Sequence, residues 1–298
     1  KIKKPKMFMT PPPELNPKVL KLMAPFRLVA DDYKEISLLL EEKMKEGLSA
    51  KTHPTASVKM FPSYVTKIPT GKETGPFLAL DLGGTNYRVI LIDLKNNHPP
   101  KITDTTYVIP KEKMCGSGDE LFDYIAETLQ DFLKSYELDD LTLVLGFTFS
   151  FPCAQKGLDK AILVRWTKGF SASGVEGQDV CKYLQDAIDK RGLKVKCVAV
   201  VNDTVGTLTS CALHDPKCAI GLIVGTGTNA AYVEEVKNVE LFSPSTPAQE
   251  AAENVIINME WGAFGDDGCL DKFRTQFDKL IDQQSIYPGK QVFEKMIS

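Results

Sequence analysis

Residues 77–94, FLALDLGGTNYRVILIDL, decide the fold. Two runs rich in Leu, Ile and Val are each too short for a helix, and Gly83-Gly84-Thr85-Asn86 separates them. The stretch therefore reads as strand, glycine-rich turn, strand. Downstream, Leu121, Phe122, Ile125, Leu129, Phe132 and Leu133 recur on one helical face across residues 119–136. LTLVLGFTF (141–149) reads as a buried strand, a helix follows at about 177–190, and VKCVAVV (195–201) reads as a second buried strand. A third helix after Asp203 leads into a hairpin, AIGLIVGTGTNAAYVEE (219–235). This alternation predicts an α/β protein with a mixed sheet.

Upstream the character is helical. Asn16-Pro17 reads as an N-cap followed by Pro at the first helical position. A second helix is predicted from Asp31 or Asp32, with Tyr33, Ile36, Leu39, Leu40 and Met44 at helical spacing and Gly47 as its stop. KIKKPKMFMTPPPEL (1–15) joins a basic cluster to a triple proline and reads as a loose arm, with a polybasic membrane tether as the alternative. Short β-branched or aromatic runs begin at about Ser57.

The length of 298 residues suits one large domain or two ordinary ones. Lys plus Arg number 36 against 39 Asp plus Glu, and 43% of residues are hydrophobic, which excludes collagen, coiled coil and disorder for the whole chain. A net charge of −3 supplies no basic surface for a nucleic-acid partner or an anionic membrane. No apolar run approaches the ~18 residues that a transmembrane helix needs. Seven scattered cysteines without a Cys-x-x-Cys pair, and a start without a secretory signal, predict reduced thiols in a cytoplasmic protein. His53, His98 and His214 lack zinc-type neighbours, so no His–Cys metal site is expected.

The glycine turn recurs. Gly225-Thr226-Gly227-Thr228-Asn229 also lies between strands, which hints at a duplicated unit and two lobes facing across a cleft. Such a turn lets backbone N–H groups approach phosphate oxygens, while the Thr hydroxyl adds a hydrogen bond. Taken alone, the same turn reads first as a plain hairpin in which Gly supplies positive φ. The second turn leads into a strand, not the helix that a dinucleotide fold requires, and no Walker-type P-loop occurs. Asp81 beside these turns would repel phosphates unless a hydrated Mg2+ sat between them; the alternative is a carboxylate capping its own loop.

VKCVAVV runs into Asn202-Asp203-Thr204. Polar residues at the carboxyl end of a buried strand sit where open α/β sheets bind ligands. Asp203 suits a general base on a hydroxyl with Asn202 bonding the same ligand, or else the triplet is a helix cap. Ser150, Thr167 and Lys168, and Glu260, also follow apolar runs, near Trp166 and Trp261. Small polar groups and carboxylates beside Trp describe a polyhydroxyl pocket; turn chemistry and core packing are the alternatives.

In order, LALDLGGTNYR, LGFTFSFP, VRWTKGF, VVNDTVGTL, VGTGTNAAY, NMEWGAFG and PGKQVFEKM resemble the motifs of the eukaryotic-type hexokinase and glucokinase family. The match runs almost continuously from about Lys59 to Ser298. The resemblance implies an ATP-dependent sugar kinase of the actin-like ATPase (ribonuclease H-like) fold, two lobes around a hinged cleft. Residues 1–68 would be a helical arm of the large lobe, 69–204 the small domain and 205–298 part of the large domain. The implied reaction moves phosphate from ATP, with Mg2+, to the 6-hydroxyl of D-glucose and related hexoses, the first step of glycolysis.

Carried over by motif, Asp203 resembles the family's base, with Lys168 beside it in catalysis. Ser150, Pro152, Thr167, Lys168, Asn202, Asp203, Asn229 and Glu260 match its sugar contacts. Gln291 and Glu294 are similarly placed, with Pro288 read as a helix start that sets them at i, i+3 spacing. Asp81, Gly83, Gly84, Thr85, Asn86 and Arg88, and Gly225, Thr226, Gly227 and Thr228, resemble the two phosphate-binding turns, with Mg2+ held by Asp81 through water. The family's chain continues well beyond the position matching Ser298. This sequence is therefore expected to be a piece holding most of the sugar site and an incomplete nucleotide pocket. A glucose-binding sensor without catalysis is the alternative function. A bacterial-type glucokinase is disfavoured by the long VRWTKGF and NMEWGAFG matches.

Overall fold

The computed structural model describes residues 16–84, 86–95, 98–225 and 227–297. The N-terminal arm (1–15), Thr85 and Thr226 lie outside the described residues. The chain opens with α1 (Pro17–Met23), α2 (Ala30–Leu48) and the short β1 (Phe61–Pro62). Then come β2 (Gly75–Leu82), β3 (Asn86–Leu94), β4 (Lys101–Val108), α3 (Lys111–Met114) and α4 (Gly118–Ser135). The middle holds β5 (Leu143–Phe149), β6 (Cys153–Gly157), β7 (Lys160–Leu163), α5 (Val180–Lys190), β8 (Val195–Val201) and α6 (Asp203–Ala212). The remainder is β9 (Ile220–Val224), β10 (Thr228–Glu235), α7 (Pro247–Glu250), β11 (Asn254–Asn258), α8 (Gln276–Gln284) and α9 (Val292–Ile297).

The expected mixed sheet is five-stranded, ordered β4-β3-β2-β5-β8. Its β4-β3-β2 part is antiparallel, whereas β5 and β8 run parallel to β2. A second sheet, β1-β11-β10-β9, is antiparallel throughout. Helices α4 and α5 cover one face of the first sheet, so Leu80, Leu82, Val89, Leu145 and Phe147 pack against Leu121, Phe122, Ile125, Leu129, Leu184 and Ile188. The capping box at Ser117 and Glu120 starts α4, with the Glu120 amide donating to Ser117 Oγ at 3.2 Å.

The strand 141–149 is not buried on both sides. Within β5, Leu143, Leu145, Phe147 and Phe149 are buried while Val144 is exposed, because among the described residues the helices lie on one face of that sheet. The helix expected at about 177–190 starts at Val180, not Gly177: Asp179 accepts from the Cys181 amide at 3.1 Å, and Gly177 has a φ of 78°.

Gly47 does not stop α2, which runs through it to Leu48. A Cβ there would collide with the Val58 carbonyl and the Met60 side chain. Glycine is needed for close approach, letting α2 lay Ile36, Leu39, Leu40 and Met44 on a second core with Val58, Met60, Val255 and Ile257.

Helix α6 joins the two sheets. It leaves β8 of the first sheet and buries Val205 and Leu208 against Ala231 and Ile256 of the second. Gly221 on β9 makes this seam possible: a Cβ would stand 2.5 Å from the Thr204 carbonyl and 2.7 Å from the Leu208 amide nitrogen. The α6 N-terminus is thereby set at the junction of the sheets.

Asp282 organises the C-terminal helices. It accepts from Lys295 Nζ at 2.7 Å, Arg274 at 2.8 Å and the Gly289 amide at 2.9 Å. The Lys295 hydrogen bond, opposed by burial, holds its carboxyl down at about 2. A carboxyl depressed in the folded state stabilises fully above its unfolded value, about pH 4, and loses that contribution as pH falls toward 2. Denaturant unfolding between pH 5 and 2 is therefore expected to lose part of its slope in Asp282→Asn; superimposable acid limbs would remove Asp282 from that role.

Candidate active site

Asp203 and Asn202 divide the two readings of their triplet. Asn202 is the N-cap of α6: its Oδ1 accepts from the Thr204 amide at 2.9 Å and the Thr204 hydroxyl at 2.7 Å. With capping done by its neighbour, the Asp203 carboxylate at the first helical position has no hydrogen bond or ion pair with another described residue. It opens into a cleft of ≈ 780 Å³ shared with Asp81, Gly83, Arg88, Ser150 and Lys168. Gly206, Thr207, Ser210, Cys211 and His214 of α6 extend the same wall.

Lys168 crosses the cleft from the loop after β7. Its Nζ donates to the Ser150 carbonyl at 2.8 Å and lies 5.5 Å from the Phe151 ring centroid. Among the described residues Ser150 Oγ is buried without a partner. An orphaned buried hydroxyl costs free energy until a ligand satisfies it, so it marks a polar binding position. Thr167 and Pro152 do not line that cleft: Thr167 directly precedes Lys168 and Pro152 follows Ser150 and Phe151 in the chain. Their backbone is held locally, the Thr167 carbonyl accepting from the Phe170 amide at 3.1 Å and the Pro152 carbonyl from the Val164 amide at 2.9 Å. Trp166 packs against Phe149, Phe151 and Phe170, with its indole N–H donating to the Ala172 carbonyl at 2.8 Å.

A second polar group comes from the other sheet. Asn229 Nδ2 donates to Asn258 Oδ1 at 2.7 Å, Glu260 Oε1 at 3.1 Å and Asn202 Oδ1 at 3.3 Å. Asn229 Oδ1 accepts from the Glu260 amide at 3.0 Å. Desolvation raises the pKa of Glu260; the Asn258 hydrogen bond and Lys168 oppose that rise, while the charges of Asp203 and Glu294 add to it. These couplings bring the Asn229–Glu260 group and the Asp203–Lys168 group into one electrostatic site.

Three of the predicted residues sit in the left-handed backbone region: Lys168 at φ 56°, Glu260 at 49° and Gln291 at 55°. Each non-glycine residue held there costs on the order of 1–3 kcal/mol, and such strain gathers at binding sites. Gln291 also corrects the expected helix, which starts at Val292, beyond Pro288. Gln291 is therefore not helical, and its amide and that of Val292 donate to Asp266 at 3.2 and 2.9 Å. Gln291 and Glu294 nevertheless converge on Gly262, where a Cβ would collide with the Gln291 amide oxygen and stand 3.4 Å from Glu294 Oε2.

Neither Gly83 nor Gly84 has positive φ, and a Cβ on Gly84 would meet nothing within 4 Å. Internal packing does not demand glycine there; open space before the backbone is what a phosphate needs to approach. Asp81 lies opposite Arg88 in the β2–β3 register and pairs with it at 3.1 Å, while Asn86 begins β3. One carboxylate beside open amides suits a hydrated Mg2+ carried on nucleotide phosphates, since Mg2+ usually keeps several waters and takes one or two protein carboxylates. Among the described residues no three His, Cys, Asp or Glu are grouped to cage a metal ion.

The second turn is closed by the Gly225 amide donating to the Gly227 carbonyl at 2.9 Å. Its Thr228 is largely occupied by protein: the amide donates to Glu294 at 3.1 Å, and the buried hydroxyl donates to the Ile223 carbonyl at 3.1 Å. The same hydroxyl accepts from the Trp261 indole at 3.2 Å. The sequence reading overlooked Asn258, which lies between Asn229 and Glu260. Strand alternation could have found it, because residues two apart share a face.

Residues 18–213 match the family model described as Hexokinase, and residues 219–298 match a second model of the same description. The chain belongs to the hexokinase family. It is 59% identical over 286 residues to the hexokinase of Schistosoma mansoni, covering 96% of this chain and 62% of that relative. It is 50% identical over 281 residues to hexokinase-2 of Homo sapiens, covering 93% of this chain and 30% of that one. The solved structure of the Schistosoma mansoni hexokinase complexed with glucose superposes with a TM-score of 0.82 at 60% identity, over 94% of this chain and 62% of that chain. Another crystal structure of a hexokinase gives 0.78 at 32% identity, over 94% of this chain and 63% of that chain. The two-sheet arrangement is thus the hexokinase family's actin-like ATPase fold, with part of a lobe represented. No helix among the described residues is long and apolar enough to cross a membrane.

Proposed function

We propose that the protein transfers the terminal phosphoryl group of ATP to the 6-hydroxyl of D-glucose and related hexoses, opening glycolysis in the cytoplasm. The observation that carries this is the Asp203 carboxylate, which Asn202 relieves of capping and which has no partner among the described residues, in one cleft with Lys168 and Ser150. Asp203 accepts the proton of the 6-hydroxyl as that oxygen bonds to the γ-phosphorus and the bond to ADP breaks. Lys168, tethered to the Ser150 carbonyl, supplies positive charge beside the reacting oxygen.

Ser150, Pro152, Thr167, Asn202, Asn229, Glu260, Gln291 and Glu294 line the sugar. The glucose held by the Schistosoma mansoni hexokinase structure supports a sugar in this site. Carboxylates and amides satisfy hydroxyl donors and acceptors in pairs, so a sugar lacking one hydroxyl leaves a buried group unpaired, at about 1–3 kcal/mol. Asp81, Gly83, Gly84, Thr85, Asn86 and Arg88 take phosphate at the first turn, and Gly225, Thr226, Gly227 and Thr228 at the second. Asp81 would hold Mg2+ through water, and the ion when bound neutralises phosphate charge.

The division into residues 69–204 as small domain and 205–298 as part of the large one follows the two sheets. The antiparallel pairing of Phe61 and Pro62 with β11 supports assigning residues 1–68 to the large lobe. The deciding experiment is a glucose-dependent ADP assay on the full-length protein, with phosphorus NMR identifying the product. Glucose 6-phosphate is expected; ATP turnover indifferent to hexose, or phosphate on another hydroxyl, would overturn the proposal.

Trp261 adjoins Glu260 and is bonded to Thr228, while Trp166 shares an aromatic cluster with Phe151. Glucose is expected to change intrinsic tryptophan fluorescence with a saturable titration, and a flat titration of folded protein would count against the pocket.

A further inference from the structure

Asn258 is the last residue of β11 and stands between two groups of the sugar site. Its Oδ1 accepts from Asn229 Nδ2 at 2.7 Å, and its Nδ2 donates to Glu260 Oε1 at 2.9 Å. The Thr204 hydroxyl, one residue beyond Asp203, reaches the same Oδ1 at 3.5 Å. One side-chain amide therefore spans β10, β11 and the start of α6, using its acceptor on one partner and its donor on another. Only an amide of this length supplies both roles here, since Asp offers no donor and Leu offers neither.

We propose that Asn258 is a positioning residue of the sugar site, holding the Asn229 amide and the Glu260 carboxyl in register for the sugar hydroxyls without touching the sugar itself. The inference rests on the sugar pocket proposed above and adds a residue to it. Glu260 needs such support. Its backbone is left-handed at φ 49°, and its carboxylate is desolvated. The charged and titratable groups facing it are Asp203 of α6, Lys168 of the loop after β7, Glu294 of α9 and Cys153 of β6. Asp203 and Glu294 disfavour its charge and Lys168 favours it, while the Cys153 thiol, pushed up to about 12 by burial, stays protonated. The Asn258 N–H is thus a principal neutral donor stabilising the charged form.

The test is a ligand-free carbon NMR titration of the Glu260 carboxyl in protein labelled with 13C-glutamate, the signal assigned by its loss in Glu260→Gln. Glucose affinity is measured in parallel by calorimetry from pH 5 to 9. In Asn258→Leu the Glu260 midpoint is expected to rise by about one pH unit, as loss of a hydrogen bond to a charged group implies. In Asn258→Asp it rises further, because two adjacent carboxyls then share a proton. Glucose affinity should fall about tenfold at pH values that leave the parent protein unaffected.

Coincident midpoints in the parent and both variants would overturn the role whatever happens to sugar affinity. Should Asn258→Leu not fold, Asn258→Asp, of nearly the same shape, carries the comparison alone. Shifted midpoints in a protein that never binds glucose would instead overturn the sugar pocket, and with it Asn258's part in sugar recognition.

Discussion

Asp203→Ala is expected to lower kcat by ~10^2–10^4 while glucose affinity changes little, because a general base acts in the transition state and contributes little to ground-state binding. The structure separates this loss from damage to the fold. Asn202, not Asp203, caps α6 through the Thr204 amide, so the helix start survives the substitution. What disappears structurally is one carboxylate near a helix N-terminus, worth about 0.3–1 kcal/mol at an exposed position. Steady-state kinetics with a glucose titration and a denaturant melt on the same sample check all three quantities. Turnover near the parent value would remove Asp203 as base; a collapse of sugar affinity with kcat intact would make it only a contact.

Gly221→Val is expected to be the second severe change, and through packing instead of chemistry. The glycine lies on β9 with ordinary backbone angles, so its role is space. Its missing Cβ faces the Thr204 carbonyl at 2.5 Å, the Leu208 amide nitrogen at 2.7 Å and Leu208 Cβ at 2.9 Å, and two of those atoms are backbone. A valine can be seated only if α6 moves away from the second sheet. Overpacking of this kind costs typically ~1–3 kcal/mol. The start of α6 carries Asn202 and Asp203, so a shift of about 1 Å there should also cost roughly 10^2 in kcat. Gly221→Ala should show both effects in smaller measure. A variant with parent-like melting and parent-like kcat would show that this seam does not position the base.

Much of the architecture was legible in the chain. Alternating apolar runs and helical faces gave the α/β class and the two glycine hairpins, because strand and helix periodicity are local properties. The caps at Asn16 and Asn202 were equally local, each made by a side chain to an amide two residues on. The errors have local-versus-tertiary causes as well. Gly47 looked like a stop because glycine commonly ends helices, yet its purpose is contact with Val58, distant from it in sequence. Pro288 looked like a helix start, but Asp266 takes the Gln291 and Val292 amides and moves the start to Val292. Val144 looked buried because an apolar run does not say whether one face of a sheet or both are covered.

By itself the sequence determined the family, the fold class, the glycine turns and the polar residues at the strand ends, all matters of residue type and spacing. Only the tertiary structure decided what those residues face. It set Asn258 between Asn229 and Glu260, used the Thr228 amide on Glu294, brought Lys168 to the Ser150 carbonyl and, among the described residues, left Ser150 Oγ without a partner. The Asn229–Asn258 and Thr228–Glu294 hydrogen bonds join residues 29 and 66 positions apart, and a carboxylate's protonation depends on every charge and dipole packed around it. Neither quantity exists until the two sheets meet at α6.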